Sequence, residues 1–215
     1  MGKSTVFNAL TGSHQHTGNW SGKTVDGASG SFRFNGIDYI MDDVPGTYSL
    51  VARSREEAVA RDIICFSEAD VVAVGCDATC LNRNLNLVLQ IMEVTPHVVV
   101  CVNLMDEAKK KGVNVDVELL EKRLGVPVAA TAARGGKGLR EFQKRLEIAA
   151  SSVDEKAGIP YPAYSEILKK AVKILSEEIN CSFWVALKLI EGDKGTLKAL
   201  KEYLNVDAED SEVAA

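Results

Sequence analysis

Short apolar runs alternate with amphipathic stretches over the first part of the chain. Unbroken apolar runs predict buried strands, and they lie at 71–74, 98–102 and 126–130. Amphipathic stretches predict helices at 56–66, 81–93, 116–125 and 138–150. Apolar strands with helices between them indicate an α/β fold, with a mostly parallel sheet that is covered by helices on both faces.

The amino-terminal stretch has a different pattern. Residues 3–10 predict a helix that ends at Gly12, and the polar, glycine-rich residues 13–30 predict a long loop. The dipeptide Asn35-Gly36 separates two short runs of alternating pattern, 31–34 and 37–41, and predicts a β-hairpin. This hairpin adds one antiparallel edge to the sheet.

The pattern changes after residue 150 and indicates a second unit. Residues 151–162 contain glycine and two prolines among polar residues, which predicts a linker between a domain at 1–150 and a small all-α domain at 163–207. The predicted helices of that domain are 164–179, 183–190 and 197–204. We expect the acidic tail, 208–215, to be disordered.

Composition narrows the class of protein. The net charge of −5 argues against nucleic acid as a partner. No apolar run reaches the ~20 residues that span a bilayer, and no signal segment opens the sequence, so we expect the chain itself to be soluble. The five cysteines have no Cys-x-x-Cys spacing, which favours reduced, mostly buried thiols in a cytosolic protein.

The first residues carry the strongest chemical motif. Gly2-Lys3-Ser4-Thr5 matches the second half of a phosphate-binding loop, G-x-x-x-x-G-K-[ST], in which backbone N–H groups and the lysine hold phosphates and the hydroxyl binds Mg²⁺. Only Met1 precedes it, so the usual first glycine and the strand before it are absent. We expect either an open gap of ~9–10 Å in the sheet or a closed sheet with shifted register.

Polar residues follow the predicted strands at the edge where α/β sheets bind ligands. Asp43 and Gly46 suit a Mg²⁺-bound water and a γ-phosphate. The carboxylate of Asp106, in Asn103-x-x-Asp106, can accept the N1 and N2 protons of guanine. Backbone N–H groups of 131–133 (Thr131, Ala132 and Ala133) can donate to guanine O6. Together these positions predict a guanine-nucleotide site.

These four motifs resemble those of Ras-like P-loop GTPases. Three further segments resemble the bacterial ferrous-iron transporter B (FeoB) family: 15–25, 59–62 and 184–193. The resemblance implies a GTPase domain and a helical domain at the cytoplasmic face of the bacterial inner membrane, followed by a membrane-embedded iron-transport domain. The implied reaction is hydrolysis of GTP to GDP and phosphate, with Mg²⁺, and a homo-oligomer is a candidate state.

The resemblance also implies residue roles. Thr24, with Ser4 and Asp43, would hold Mg²⁺, and Thr24 would also sense the γ-phosphate. Thr47 stands where Ras-type enzymes place a water-orienting glutamine, so the catalytic candidates besides Thr24 are Ser54, Glu56 and Glu57. The two glutamates equally suit the first turn of a helix, where carboxylates oppose the helix dipole. Leu104 replaces the usual lysine, which implies weak binding and fast exchange of nucleotide.

Other interpretations stay open. K⁺ is a further candidate cofactor, although the asparagine that would bind it in the family lies upstream of Met1. His14 and His16 could bind iron, yet two loop histidines without carboxylates are more often solvated. The chain is either a truncated active GTPase or a degenerate, non-hydrolysing interaction module. A ribosome-assembly GTPase of the Era type is disfavoured, because Asn-Lys-x-Asp and a basic appendage are missing.

Overall fold

The computed structural model describes residues 2–12, 15–19, 26–67, 69–151 and 164–204, with the backbone alone at 15–19 and 26. In chain order the elements are α1 (Lys3–Thr11), β1 (Gln15–Asn19), β2 (Asp26–Phe34), β3 (Ile37–Asp43), α2 (Arg55–Phe66), β4 (Val72–Asp77), α3 (Leu81–Met92), β5 (Val98–Asn103), α4 (Met105–Lys110), α5 (Val117–Leu124), β6 (Val128–Ala130), α6 (Leu139–Ser151), α7 (Glu166–Glu178), α8 (Phe183–Ile190) and α9 (Lys194–Tyr203).

The strands form two three-stranded sheets. β1, β2 and β3 pair antiparallel, whereas β4, β5 and β6 pair parallel in that order. The predicted hairpin is confirmed: Asn35 and Gly36 both have positive φ, as a two-residue turn of type I′ requires. The predicted α/β class is therefore confirmed.

One prediction of local structure was wrong, and one helix was predicted only at its end. The interval 13–30 is not a single loop, because β1 forms at 15–19 and β2 begins at Asp26. Backbone pairing with β2 stabilises this polar, glycine-containing strand, which side-chain pattern alone does not predict. The basic run 109–111 was interpreted as the end of a solvated helix, and α4 does end there, but its start was not predicted because six residues carry too little periodicity.

The parallel sheet holds the main core. All six residues of β5 are buried, and their side chains alternate between two clusters. Val98, Val100 and Val102 pack in the cluster that contains the apolar stripe of α3, while Val99 and Cys101 pack in the one that contains α1 and α6. Helices therefore cover both faces, as continuous apolar strands require.

A groove separates the two sheets. Within the described ranges no ladder joins β3 to β4, and a cavity of about 660 Å³ lies between them, lined by both strands and by helices from either face. Of the two arrangements expected here, an open gap or a closed sheet with shifted register, the described residues have the open gap.

Of the three carboxy-terminal helices, α8 and α9 contact the α/β unit, and α7 packs on α8. Trp184 and Val185 of α8 are buried in the cluster of α3 and the parallel sheet. The backbone N–H of Trp184 donates to the backbone carbonyl of Glu93. Phe66 stacks on Tyr203 of α9. The predicted linker falls almost wholly on residues outside the described ranges, and the domain boundaries stay predictions. No helix in the described part of the chain is long and apolar enough to cross a membrane.

Candidate functional site

The first turn of α1 lies against the end of β5. Gly2 has φ +69°, and a Cβ built on it would lie 2.7 Å from Nδ2 of Asn103. A side chain at this position would be both strained and in collision, so only glycine allows the backbone to come this close. The amino end of α1 is thereby fixed beside the end of the parallel sheet.

Lys3 and Ser4 meet the end of β3. The Lys3 ammonium pairs with Asp43 Oδ1, and the Ser4 hydroxyl donates to Asp43 Oδ2 over 3.2 Å. The Lys3 side chain is 37% exposed and the Asp43 side chain 15% exposed. The Asp43 carboxylate therefore binds both the Lys3 ammonium and the Ser4 hydroxyl, which are the two groups that a phosphate or a metal ion would contact.

Asn103 makes the central hydrogen bonds of the site. The site is called the rim below and consists of Gly2, Lys3, Ser4, Asp43, Asn103 and Asp106. It is 1% exposed, and its Oδ1 accepts from the Thr131 hydroxyl at 3.0 Å and from the Ala133 N–H at 3.1 Å. The next residue, Leu104, has φ +64°, and this turn lets the Met105 N–H donate to the Thr131 carbonyl at 3.1 Å. The loops after β5 and β6 are thus joined side by side.

Asp106 lies in the first turn of α4, where the free N–H groups of a helix favour a carboxylate. Its side chain is exposed and available to a ligand. The loop after β6 is less available than expected. The N–H groups of Thr131, Ala132 and Ala133 donate to Val102 O, Lys137 O and Asn103 Oδ1 respectively. A ligand oxygen at this loop would have to share or displace one of these bonds.

Three of the candidates for catalysis, Ser54, Glu56 and Glu57, lie at the start of α2. Ser54 caps α2 by accepting from the Glu57 N–H at 3.2 Å, and Glu57 accepts from the Arg53 N–H at 2.8 Å. Glu56 is fully exposed, and its pKa is lowered by its own backbone N–H and then by Ser54. These contacts place the three residues at the first turn of a helix.

Gly46 and Thr47, in the turn that follows β3, have different environments. Gly46 is exposed, whereas Thr47 is buried, and its hydroxyl donates to the Ser49 carbonyl at 2.6 Å. Thr47 is therefore occupied in holding its own turn. Thr5 is exposed on α1. Thr24 lies outside the described residues, as do His14 and the side chain of His16.

Sequence reasoning missed the polar bracing at the end of β4. Asp77 accepts from the N–H and hydroxyl of Thr79, both at 2.8 Å, while its own N–H donates to the side chain of the buried Asn84. Burial opposes the charge on Asp77, but the Thr79 hydrogen bonds prevail and lower its pKa. An Asp-x-Thr after an apolar run was the available signal.

The buried thiols of Cys76 and Cys101 are poor nucleophiles at neutral pH. Burial raises the pKa of Cys76 to about 12 and that of Cys101 to about 11, and all five cysteines are free. Among the described residues no group of three or more His, Cys, Asp or Glu side chains is placed to hold a metal ion.

Comparison with known proteins decides the family. The family model described as Ferrous iron transport protein B matches residues 1–146. The chain belongs to the FeoB amino-terminal family. It is 42% identical over 199 residues to the Fe(2+) transporter FeoB of Methanocaldococcus jannaschii, and 37% identical over 204 residues to an Fe(2+) transport protein A/Fe(2+) transporter FeoB fusion protein of Porphyromonas gingivalis. It covers 30% and 24% of those proteins, with 90% of its own length in each case, so it spans less than a third of either.

Solved FeoB structures share the fold. The cytosolic domain of T. maritima FeoB in its GMPPNP form matches with a TM-score of 0.81 and 32% identity, over 94% of this chain and 81% of that one. The cytosolic domain of L. pneumophila FeoB matches with a TM-score of 0.80 and 29% identity, over 95% and 93%. The sequence-based prediction of a FeoB-type chain with a Ras-like GTPase fold is confirmed.

Proposed function

We propose that this chain binds guanine nucleotide at the rim built by Gly2, Lys3, Ser4, Asp43, Asn103 and Asp106, and that it hydrolyses GTP to GDP and phosphate. The observation that carries the proposal is the convergence of Lys3 and Ser4 on Asp43, beside the braced Asn103. A lysine and a helix amino end attract phosphate, and an exposed carboxylate just beyond Asn103 suits the guanine edge. The GMPPNP and GDP forms of T. maritima FeoB support the same choice of ligand.

Mg²⁺ fits the donors that are present. Magnesium prefers hard oxygen ligands and usually takes one or two from the protein, with the rest from phosphates and water. Ser4 Oγ and the Asp43 carboxylate are oxygen donors already 3.2 Å apart. When bound, the ion would neutralise charge on the phosphates. Lys3 would then exchange its partner, from the carboxylate to a phosphate oxygen.

For hydrolysis, the backbone around Gly46 would face the γ-phosphate, and Thr24, Ser54, Glu56 and Glu57 are the proposed residues for holding the attacking water. Thr47 takes no part in the proposal, because its hydroxyl is bonded within its own turn. We propose further that GTP turnover regulates or drives Fe²⁺ passage through a membrane-embedded domain, at the cytoplasmic face of the membrane. The FeoB relatives, which are much longer than this chain, support that coupling.

A second candidate is a non-hydrolysing interaction module with weakened nucleotide binding. Two observations favour it: the three N–H groups at 131–133 already have acceptors, and Lys3 is paired with Asp43. Each ligand bond must therefore replace an existing one.

Calorimetry with GDP and Mg²⁺ tests the proposal. We expect saturable binding, no binding of ADP, and a switch in Asp106→Asn from guanine to xanthine nucleotide. The matched control is Glu107→Gln, which changes a neighbouring carboxylate of α4 and should retain GDP. Phosphate release from GTP then separates hydrolysis from binding. If GDP fails to bind, and still fails after an apolar strand and G-x-x-x-x are placed ahead of Gly2, the interaction module is the better conclusion.

A further inference from the structure

A second cavity lies beside the starts of α3 and α5. It has a volume of about 600 Å³, and it is formed by the loop after β4, the first turn of α3, the residues that precede α5 and α5 itself. Cavities of ~300–1,000 Å³ are the usual size of small-molecule sites. None of the rim residues lines this cavity. It is therefore separate from the proposed nucleotide site.

The walls of this cavity are mostly apolar. Leu81, Val115 and Leu120 are half-buried there. Val113 and Leu119 also line it, and they are 39% and 44% exposed. Apolar side chains from α3, from α5 and from the loop before α5 thus meet while they are still in contact with solvent. Covering them removes apolar surface from water, which favours a ligand with an apolar body.

Two arginines give the cavity a positive charge. Arg83 of α3 and Arg123 of α5 both line it and are exposed. Neither guanidinium has a carboxylate partner or a hydrogen-bond acceptor among the described residues. Asp116 is the single acidic residue of the lining, and its carboxylate caps α5 by accepting from the Leu119 N–H at 2.9 Å. Because a guanidinium bonds most strongly to carboxylate or phosphate oxygens, the unused donors suit an anionic head group.

Tyr48 positions one of these arginines. The central carbon of the Arg83 guanidinium, Cζ, lies 3.9 Å from the centre of the Tyr48 ring. Cation–π attraction stabilises this arrangement, and the N–H groups of a guanidinium remain able to donate in its own plane. Tyr48 lies in the turn after β3, next to the buried Thr47. The ring therefore lowers the conformational freedom that Arg83 would lose when it binds a ligand.

The start of α3 adds backbone donors to the two guanidinium groups. Its N-cap residue, Cys80, makes no side-chain hydrogen bond to the helix, and the first turn contains no acidic residue. The backbone N–H groups of Leu81 and Asn82, two residues of the lining, have no acceptor in the part of the chain that the structure describes. The positive end of a helix dipole attracts anions. These groups therefore favour the same kind of ligand as the arginines.

We propose that this cavity binds a small amphipathic anion, with a phosphate or carboxylate head at Arg83 and Arg123 and an apolar body against Val113 and Leu119. The concave shape favours a free small molecule over a lipid in a bilayer, whose surface is flat. The ligand would also hold Arg83 on Tyr48 and so stabilise the turn at 46–49. The proposed function places that turn at the γ-phosphate, and only this last consequence rests on the proposed function.

Octyl phosphate is the probe for the test, added to the full chain without nucleotide. We expect saturable one-to-one binding by calorimetry, and shifts of the Nε–H signals of Arg83 and Arg123 in NMR spectra. Inorganic phosphate and octanol should each bind at least about tenfold more weakly, because the first lacks the apolar body and the second lacks the charge. Sedimentation with vesicles of phosphatidylcholine and phosphatidic acid tests a bilayer lipid as the source of the head group. Since nucleotide is absent, failure here is distinct from failure of GTP binding.

Substitutions of exposed side chains locate the bound probe. Arg123→Gln should weaken binding by about tenfold or more, because it removes a charged donor. Its matched control is Arg140→Gln, which removes an exposed arginine of α6 outside the cavity and should bind as wild type does. Tyr48→Leu should weaken binding several-fold, whereas Tyr48→Phe keeps the aromatic ring and should bind normally. Lys3→Gln should also bind normally, since Lys3 belongs to the rim. Circular dichroism verifies that each variant is folded.

The proposal is overturned by any of four results. They are absence of octyl phosphate binding to the folded chain, equal binding of inorganic phosphate, loss of binding in Lys3→Gln instead of Arg123→Gln, and binding to the vesicles alone. The first would show that the cavity holds only water, the second that no apolar body is recognised, the third that the probe binds at the rim, and the fourth that the ligand is a bilayer lipid. Equal affinity of Tyr48→Leu and Tyr48→Phe would overturn the role given to the Tyr48 ring.

Discussion

Replacing Asn103 by alanine should destabilise the chain even when no nucleotide is bound. Asn103 is 1% exposed, and its Oδ1 accepts hydrogen bonds from two donors. The Ala133 N–H would lose its acceptor, at ~1–3 kcal/mol for a buried unpaired group. The Thr131 hydroxyl would lose ~0.5–1.5 kcal/mol, partly recovered because it also lies 3.3 Å from Cys101 Sγ. We expect a loss of about 2–4 kcal/mol in the free energy of unfolding.

The contribution of these hydrogen bonds to the free energy of unfolding can be measured by urea unfolding of four chains: wild type, Asn103→Ala, Thr131→Val and the double variant. Thr131→Val keeps the shape and removes only the hydroxyl, so it should cost about 1 kcal/mol. The double variant should cost less than the sum, because both single changes break the same bond. If Asn103→Ala unfolds within 0.5 kcal/mol of wild type, roughly the scatter of surface substitutions, Asn103 serves the ligand alone and the bracing argument fails.

Three further predictions concern the packing around the site. Arg61, 6% exposed on α2, pairs with Asp62 and lies beside the start of α9, so Arg61→Met should lower the unfolding free energy by ~3 kcal/mol in urea. Burial raises the pKa of Glu93, so the folded chain keeps this proton to higher pH than the unfolded chain, and stability falls as pH rises through that range. Glu93→Gln should therefore be more stable than wild type at pH 7, with the difference vanishing near pH 4. Iodoacetamide at pH 8 should label the exposed Cys80 in the folded chain and Cys101, whose pKa burial raises to about 11, only after denaturation.

Most of the α/β fold could be predicted from periodicity, because the burial of a strand or of one face of a helix determines which positions along it are apolar. The six buried residues of β5 and the helix that ends at Gly125 are examples. β1 could not be predicted in this way, since its five residues are held by a backbone ladder and carry no apolar face. The six residues of α4 are also too few for a 3.6-residue period to be recognised.

The candidate site was predictable to the level of residue identity but not of hydrogen bonding. Parallel strands bring their carboxyl ends to one edge, which is why Lys3, Asp43 and Asn103 could be grouped from sequence. That Asn103 is buried and accepts from the loop after β6 depends on a left-handed turn at Leu104. No propensity assigns that conformation to leucine. The bond from Ala132 to Lys137 is likewise a property of the folded loop.

Binding at the rim replaces contacts that the chain already makes. Lys3 is paired with the Asp43 carboxylate, and the backbone N–H groups of 131–133 already have acceptors. Each bond to a nucleotide at these groups therefore replaces an existing bond, so the exchange by itself contributes little net free energy. Affinity at the rim must then come from groups whose contacts are not exchanged one for one, and the exposed carboxylate of Asp106 is the candidate among the described residues.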